Sequence, residues 1–164
     1  MKMSNKVYRW MIAVMTILVV ATNGFAQDRN DMKYGVGFQG TFPAYGISGM
    51  MDINETISAQ GIIGFFGHLK TYAARGLYRF QQENDWNLYG YGMIGIWNYG
   101  AFGVSETVVG FGAGAGIEYD WRALDPDLPP LFWNIELGLG VANFDKVAYD
   151  FNTLLIGVGV HYRF

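Results

Sequence analysis

The chain has 164 residues, of which 51% are hydrophobic, 17% aromatic and only 15% charged, with 23 glycines, no cysteine and a net charge of −3. That length suits one domain, and the sparse, slightly acidic charge excludes a nucleic-acid partner. The lack of cysteine excludes both a disulfide framework and a lipid-modified cysteine anchor.

At the N-terminus Lys2, Lys6 and Arg9 precede an apolar run from Trp10 to about Ala21, followed by Gly24-Phe25-Ala26. A basic start, a short apolar run and small residues at a cleavage position predict a secretory signal peptide over 1–26. A spanning helix would need roughly 20 apolar residues, more than this run supplies. The expected domain is then 27–164.

Beyond the leader no segment is long and apolar enough for a membrane helix, yet a strand crossing needs only about 9 to 11 residues. Period-2 alternation between turn signals predicts eight strands, at 33–42, 44–53, 56–66, 68–80, 86–99, 106–121, 131–143 and 151–164. The first sets Tyr34, Val36 and Phe38 against Gly35, Gly37 and Gln39. The second and third are separated by the polar turn Asp52-Ile53-Asn54-Glu55. Asn54-Glu55-Thr56 matches a glycosylation sequon but is expected to be turn chemistry alone. The fourth places Tyr72, Ala74, Gly76, Tyr78 and Phe80 on one face and Arg75 and Arg79 on the other. In the fifth both faces are apolar; if Trp86 points outward, Leu88, Ile94 and Ile96 follow it, and Tyr89, Tyr91 and Met93 point inward.

The sixth strand is the clearest. Thr107, Val109, Phe111, Ala113, Ala115, Ile117, Tyr119 and Trp121 share a face, opposite Glu106, Val108, Gly110, Gly112, Gly114, Gly116, Glu118 and Asp120. Glycines at a strict spacing of two belong to one face of a strand, so they do not form a nucleotide-binding loop, which needs a tight turn feeding a helix. Asp125 and Asp127 sit in a proline-bearing turn and are expected to shape it rather than to hold a cation. The seventh strand repeats the sorting, with Leu131, Trp133, Ile135, Leu137, Leu139 and Val141 opposite Asn134, Glu136, Gly138 and Gly140. The eighth alternates Leu154, Ile156, Val158, Val160, Tyr162 and Phe164 with Gly157, Gly159, His161 and Arg163.

A stripe that long and apolar has no helix in the chain to cover it, and so is expected to meet lipid. Only a closed barrel satisfies a sheet's backbone in hydrocarbon. The expected fold is therefore all-β, an eight-stranded antiparallel up-and-down transmembrane barrel with short turns. With both termini in the periplasm, Tyr34, Phe80, Trp86, Trp121, Trp133 and Phe164 fall outward at one set of strand ends, where amphipathic aromatics favour an interface.

At eight strands the interior holds side chains or one small ligand. The expected lumen polar network comprises Arg75, Arg79, Glu118, Asp120, Glu136, His161 and Arg163, with Gln39, Gln60 and Asn134 nearby, and Arg79 is expected to pair with Glu118. Buried charges must be paired, so a plug is the expectation and a narrow gated conduit the alternative. His161 invites a catalytic reading, but no serine stands near it in sequence, and His68 lies by an outward loop without a partner close in sequence.

The strand count, and above all the closing run of Gly159, aromatic Tyr162 and terminal aromatic Phe164, resembles the small eight-stranded outer-membrane barrels of Gram-negative bacteria, the outer membrane protein A and X type. The resemblance implies an assembly signal in those three residues, read by the barrel-assembly machinery, and an outer-membrane location among lipid and lipopolysaccharide. The expected function is a structural or membrane-integrity barrel without catalysis, cofactor or metal. Alternatives are a small channel or carrier for small or hydrophobic solutes, a lipid A-modifying enzyme, and a soluble barrel of lipocalin type, which would need the opposite sorting of faces.

Overall fold

A computed structural model of the chain describes residues 32–41, 44–101, 104–145 and 153–164. The expected leader over 1–26 lies outside the described residues. The strands are β1 (Tyr34–Thr41), β2 (Ala44–Asp52), β3 (Ile57–Phe66), β4 (Leu69–Gln82), β5 (Trp86–Ala101), β6 (Val104–Asp120), β7 (Leu131–Val141) and β8 (Thr153–Arg163). All eight expected strands are present, with no end displaced by more than two residues.

Every consecutive pair is antiparallel, and β8 returns to β1 to close the barrel. Tyr34 and Phe164 exchange backbone hydrogen bonds of 3.0 and 2.9 Å at the seam. Gly35 pairs with Arg163 across that seam. Stepping round the other way from Gly35, through Met50, Gln60, Arg75, Met93, Gly112 and Gly140, arrives instead at Thr153, near the opposite end of β8. That offset is the stagger required when tilted strands close on themselves. The end holding Tyr34 and Phe164 is called proximal below, and the other distal.

The connections follow local chemistry. Between β2 and β3 the Asn54 side-chain oxygen accepts from the backbone N–H of Thr56 and Ile57, at 2.9 and 2.7 Å, and from the Thr56 hydroxyl at 3.0 Å. This is an Asx turn, the local chemistry expected of that segment. Asp125 likewise accepts from the Asp127 N–H at 3.0 Å. Gly67, at φ +56°, makes the tight β3–β4 hairpin in a conformation that other residues rarely adopt.

Outward positions are exposed and apolar: Phe38 is 63% exposed, Phe111 63% and Leu139 70%. Inward positions are closed. Tyr89, Tyr91 and Met93 are buried, which fixes the phase of β5 as Trp86 suggested. Their volume is taken up by glycine on the facing strands. A methyl group at Gly116 would lie 2.7 Å from the Tyr89 hydroxyl, and one at Gly138 would lie 2.6 Å from that of Tyr91. Toward the distal end Trp97, Ile62 and Leu155 pack with Ala44, Ala73 and Phe144 into an apolar core. The polar side chains gather along the rest of the bore.

Candidate functional site

The inward polar residues come from all eight strands, because each strand's alternation carries its charges away from the outer face. Glu136, on β7, is 1% exposed. Its Oε1 accepts from Arg75 Nη2 at 2.7 Å and from the Tyr89 hydroxyl at 2.6 Å, while Oε2 accepts from the Thr41 hydroxyl at 2.6 Å. One carboxylate thereby ties β1, β4 and β5 to β7. Thr41 in turn accepts from Gln39 Nε2 at 2.9 Å, and the amides of Gln39 and Asn134 exchange bonds of 3.2 and 3.1 Å. The Arg75 guanidinium lies over the Tyr91 ring, 4.1 Å from its centre.

A second group sits nearer the proximal end. Asp52 accepts from Arg79 Nη2 at 2.8 Å and from the Ser58 hydroxyl at 2.6 Å on Oδ1, and from Arg163 Nη1 at 2.9 Å on Oδ2. Arg163 Nη2 continues to Glu118 Oε1 at 2.7 Å, and Asn87 donates to Glu118 Oε2 at 3.0 Å. Arg163 also covers the face of Phe132, 4.7 Å from its centre. The expected pairing of Arg79 with Glu118 is therefore replaced by two pairs through Asp52, which the sequence reading had left in a turn. Asp120 is turned away from this group. It forms an ion pair with Arg122 at 2.7 Å and caps a short 3-10 helix over Trp121–Ala123.

Asp52 stands between two arginines, so both lose a carboxylate partner when it changes. Asp52→Asn is expected to lower unfolding free energy by about 1.5–3 kcal/mol, the range for hydrogen bonds to charged groups. A double-mutant cycle should return coupling between Arg79 and Asp52 and none between Arg79 and Glu118; the reverse pattern would contradict this wiring.

His161 is fully buried beside Ser48, with His161 Nε2 3.0 Å from Ser48 Oγ and 3.2 Å from Gln60 Nε2. Gln60 Nε2 also donates to Ser48 Oγ at 2.7 Å. A serine distant in sequence does stand beside the histidine in space, because β2 and β8 approach across β1. Both side chains are sealed inside the wall, at 1% and 0% exposure, so a substrate has no approach to the serine oxygen. Several buried polar atoms in this bore have no protein partner, among them Arg75 Nε and Nη1, Arg163 Nε, Asn87 Oδ1 and His161 Nδ1. A mouth of about 490 Å³ opens at the proximal end against Lys33, Asp52, Arg79, Asn87 and Arg163. Among the described residues no cluster of three or more His, Cys, Asp or Glu could hold a metal.

The expected interface aromatics lie at the proximal ends of their strands, with Tyr34 51% exposed, Phe80 57%, Trp121 39% and Phe164 47%, and with Trp86 and Trp133 half-buried. Tyr162 differs from the rest of its stripe, being only 9% exposed beneath Phe164, whose ring centre is 6.3 Å away. Gly159 lies on the inner face, against Gln39 and Asn134.

No protein-family model matches the chain, and no curated protein matches its sequence. Among solved structures, the N-terminal β-barrel domain of Pseudomonas aeruginosa OprF matches with a TM-score of 0.58 at 14% identity, over 84% of this chain and all of that one. Ail, the attachment invasion locus protein of Yersinia pestis, matches with a TM-score of 0.35 at 17% identity, over 81% of this chain and 95% of that one. The likeness to the OprF domain is one of fold, and it agrees with the small eight-stranded barrel that the sequence resembles.

Proposed function

We propose that this chain is an integral barrel of a Gram-negative outer membrane, with a lumen sealed by its own polar network and a structural or membrane-integrity role without catalysis. The observation that carries this reading is the sorting of charge. Arg75, Arg79, Arg163, Asp52, Glu118 and Glu136 all face the bore, and the opposite wall presents a belt of exposed Ile, Val, Leu, Phe and Tyr. A soluble protein gains nothing from exposing that belt, whereas a barrel in lipid requires it. The three arginines are balanced by three carboxylates in direct ion pairs, which fits a plug. The assembly signal of Gly159, Tyr162 and Phe164 would be read by the barrel-assembly machinery, and Phe164 also bonds β8 to β1 at the seam.

A narrow conduit is the second reading, favoured by the unpartnered polar atoms along the bore. A lipid-modifying enzyme is disfavoured by the burial of Ser48 and His161. Gel mobility of boiled and unboiled outer-membrane fractions tests the barrel, and single-channel recording in planar bilayers tests the seal. The expected result is a heat-dependent shift in the outer-membrane fraction with no resolved conductance. Stable conductance steps would replace the plug by a conduit, and recovery of the protein in the soluble periplasm would end the membrane reading.

A further inference from the structure

The bore changes character over one strand alternation. Gln60 pairs with Arg75 across β3 and β4, and the next inward pair toward the distal end is Ile62 with Ala73, a step of about 7 Å along the strands. From that step onward Trp97, Ile62, Leu155, Ala44, Ala73 and Phe144 close the barrel as an apolar layer. The layer is packed without slack. A methyl group at Gly95 would lie 2.5 Å from the Trp97 ring and one at Gly110 2.9 Å from it, while Gly112 and Gly140 leave 3.0 Å each to the Leu155 side chain.

On the proximal side of the step, buried polar atoms without a protein partner extend from the mouth to the foot of the layer. Asn87 Oδ1 and Arg163 Nε belong to residues that line the mouth. His161 Nδ1 lies one alternation inward from Arg163, and Gln60 Oε1 with Arg75 Nε and Nη1 stand next to the Ile62–Ala73 pair. Each of these residues is at most 4% exposed. Their chemistry is mixed, since guanidinium nitrogens only donate and amide oxygens only accept. An anion would satisfy the first kind and a cation the second, whereas water serves both.

We propose that the bore is a one-ended water site: ordered waters enter at the proximal mouth, bind along these atoms and stop at the Trp97 layer, which is the barrel's barrier to water and protons. Buried water is held where polar groups converge, an apolar space of molecular size stays dry, and an apolar constriction excludes water from a pore. The ion pairs therefore fill the bore, and the layer makes the filling watertight. The inference rests on the sealed-barrel reading above and locates the seal within it.

The chain has no cysteine, so one introduced thiol gives a single S–H infrared band, and loss of that band in heavy water reports water at the thiol. The protein is reconstituted in phosphatidylcholine vesicles and its heat-dependent gel shift is checked first. An absent wild-type shift would overturn the membrane reading and this inference with it; the outcomes that follow, read on a folded barrel, bear on the inference alone. Ser48→Cys puts the thiol beside His161 and Gln60, and Ala73→Cys puts it in the layer. The band of Ser48→Cys is expected to be lost in heavy water and that of Ala73→Cys to persist, until Trp97→Ala is added to Ala73→Cys and the band is lost there too. Should Trp97→Ala abolish the gel shift, Leu155→Ala opens the same layer in its place. A persistent band in Ser48→Cys would mean a dry bore, and a lost band in Ala73→Cys would mean that water passes the layer. Either result overturns the inference, as does a band that survives opening of the layer.

Discussion

Glu136→Ala is expected to cost the barrel about 3–5 kcal/mol, the penalty for stranding the partner of a buried ion pair. Its carboxylate is the sole ion-pair partner of Arg75 among the described residues, and both side chains are completely shielded from solvent. The same change removes the acceptor of the Tyr89 and Thr41 hydroxyls, so three donors on three strands lose their partner together. Glu136→Gln keeps an acceptor while losing the charge, and should fall between wild type and alanine. The double variant Arg75→Met with Glu136→Met removes both charges and should recover most of the loss, because an apolar pair of similar size often replaces a buried salt bridge without cost. Urea unfolding of the reconstituted protein, read by the loss of the fast-migrating unboiled band, gives the numbers. If Glu136→Ala unfolds at the wild-type midpoint, the carboxylate is not holding the bore together.

Leu137→Arg should separate a lipid-facing wall from a water-facing one. Leu137 is 56% exposed at the middle of β7, on the outer face. On a soluble protein such a surface change stays within about 0.5 kcal/mol. At the hydrocarbon midplane it is expected to cost about 2–4 kcal/mol, falling toward zero near the interface. Arginine placed at Tyr34, at the proximal rim, supplies the shallow control and should be tolerated. Equal tolerance at both positions would mean that the apolar belt does not meet lipid. The two predictions are independent, since one acts inside the wall and the other outside it.

The strands and their facing were legible because the signal is local. A period of two is written into each segment, and an arginine or glutamate in a strand declares which side cannot be lipid. Thr107 to Trp121 and Leu131 to Val141 illustrate this, every alternate residue falling where its polarity directs. Even the ambiguous β5 could be phased once Trp86 was taken as outward, because large inward side chains need the small ones of β6 beside them.

Partner choice inside the bore was not legible. Arg79 was assigned to Glu118 because both lie toward one end, yet it bonds to Asp52, and Glu118 bonds to Arg163. Each of the lumen ion pairs joins strands that are not neighbours in the sheet: β4 with β7, β2 with β4, β2 with β8 and β6 with β8. Ser48 and His161 likewise meet across β1. Which residues arrive at the same height across a bore depends on tilt and stagger, properties of the closed sheet that no single strand encodes. What the sequence determined alone was the number of strands, the wall each residue faces and the confinement of charge to the inside. The closed barrel decided which of those charges meet.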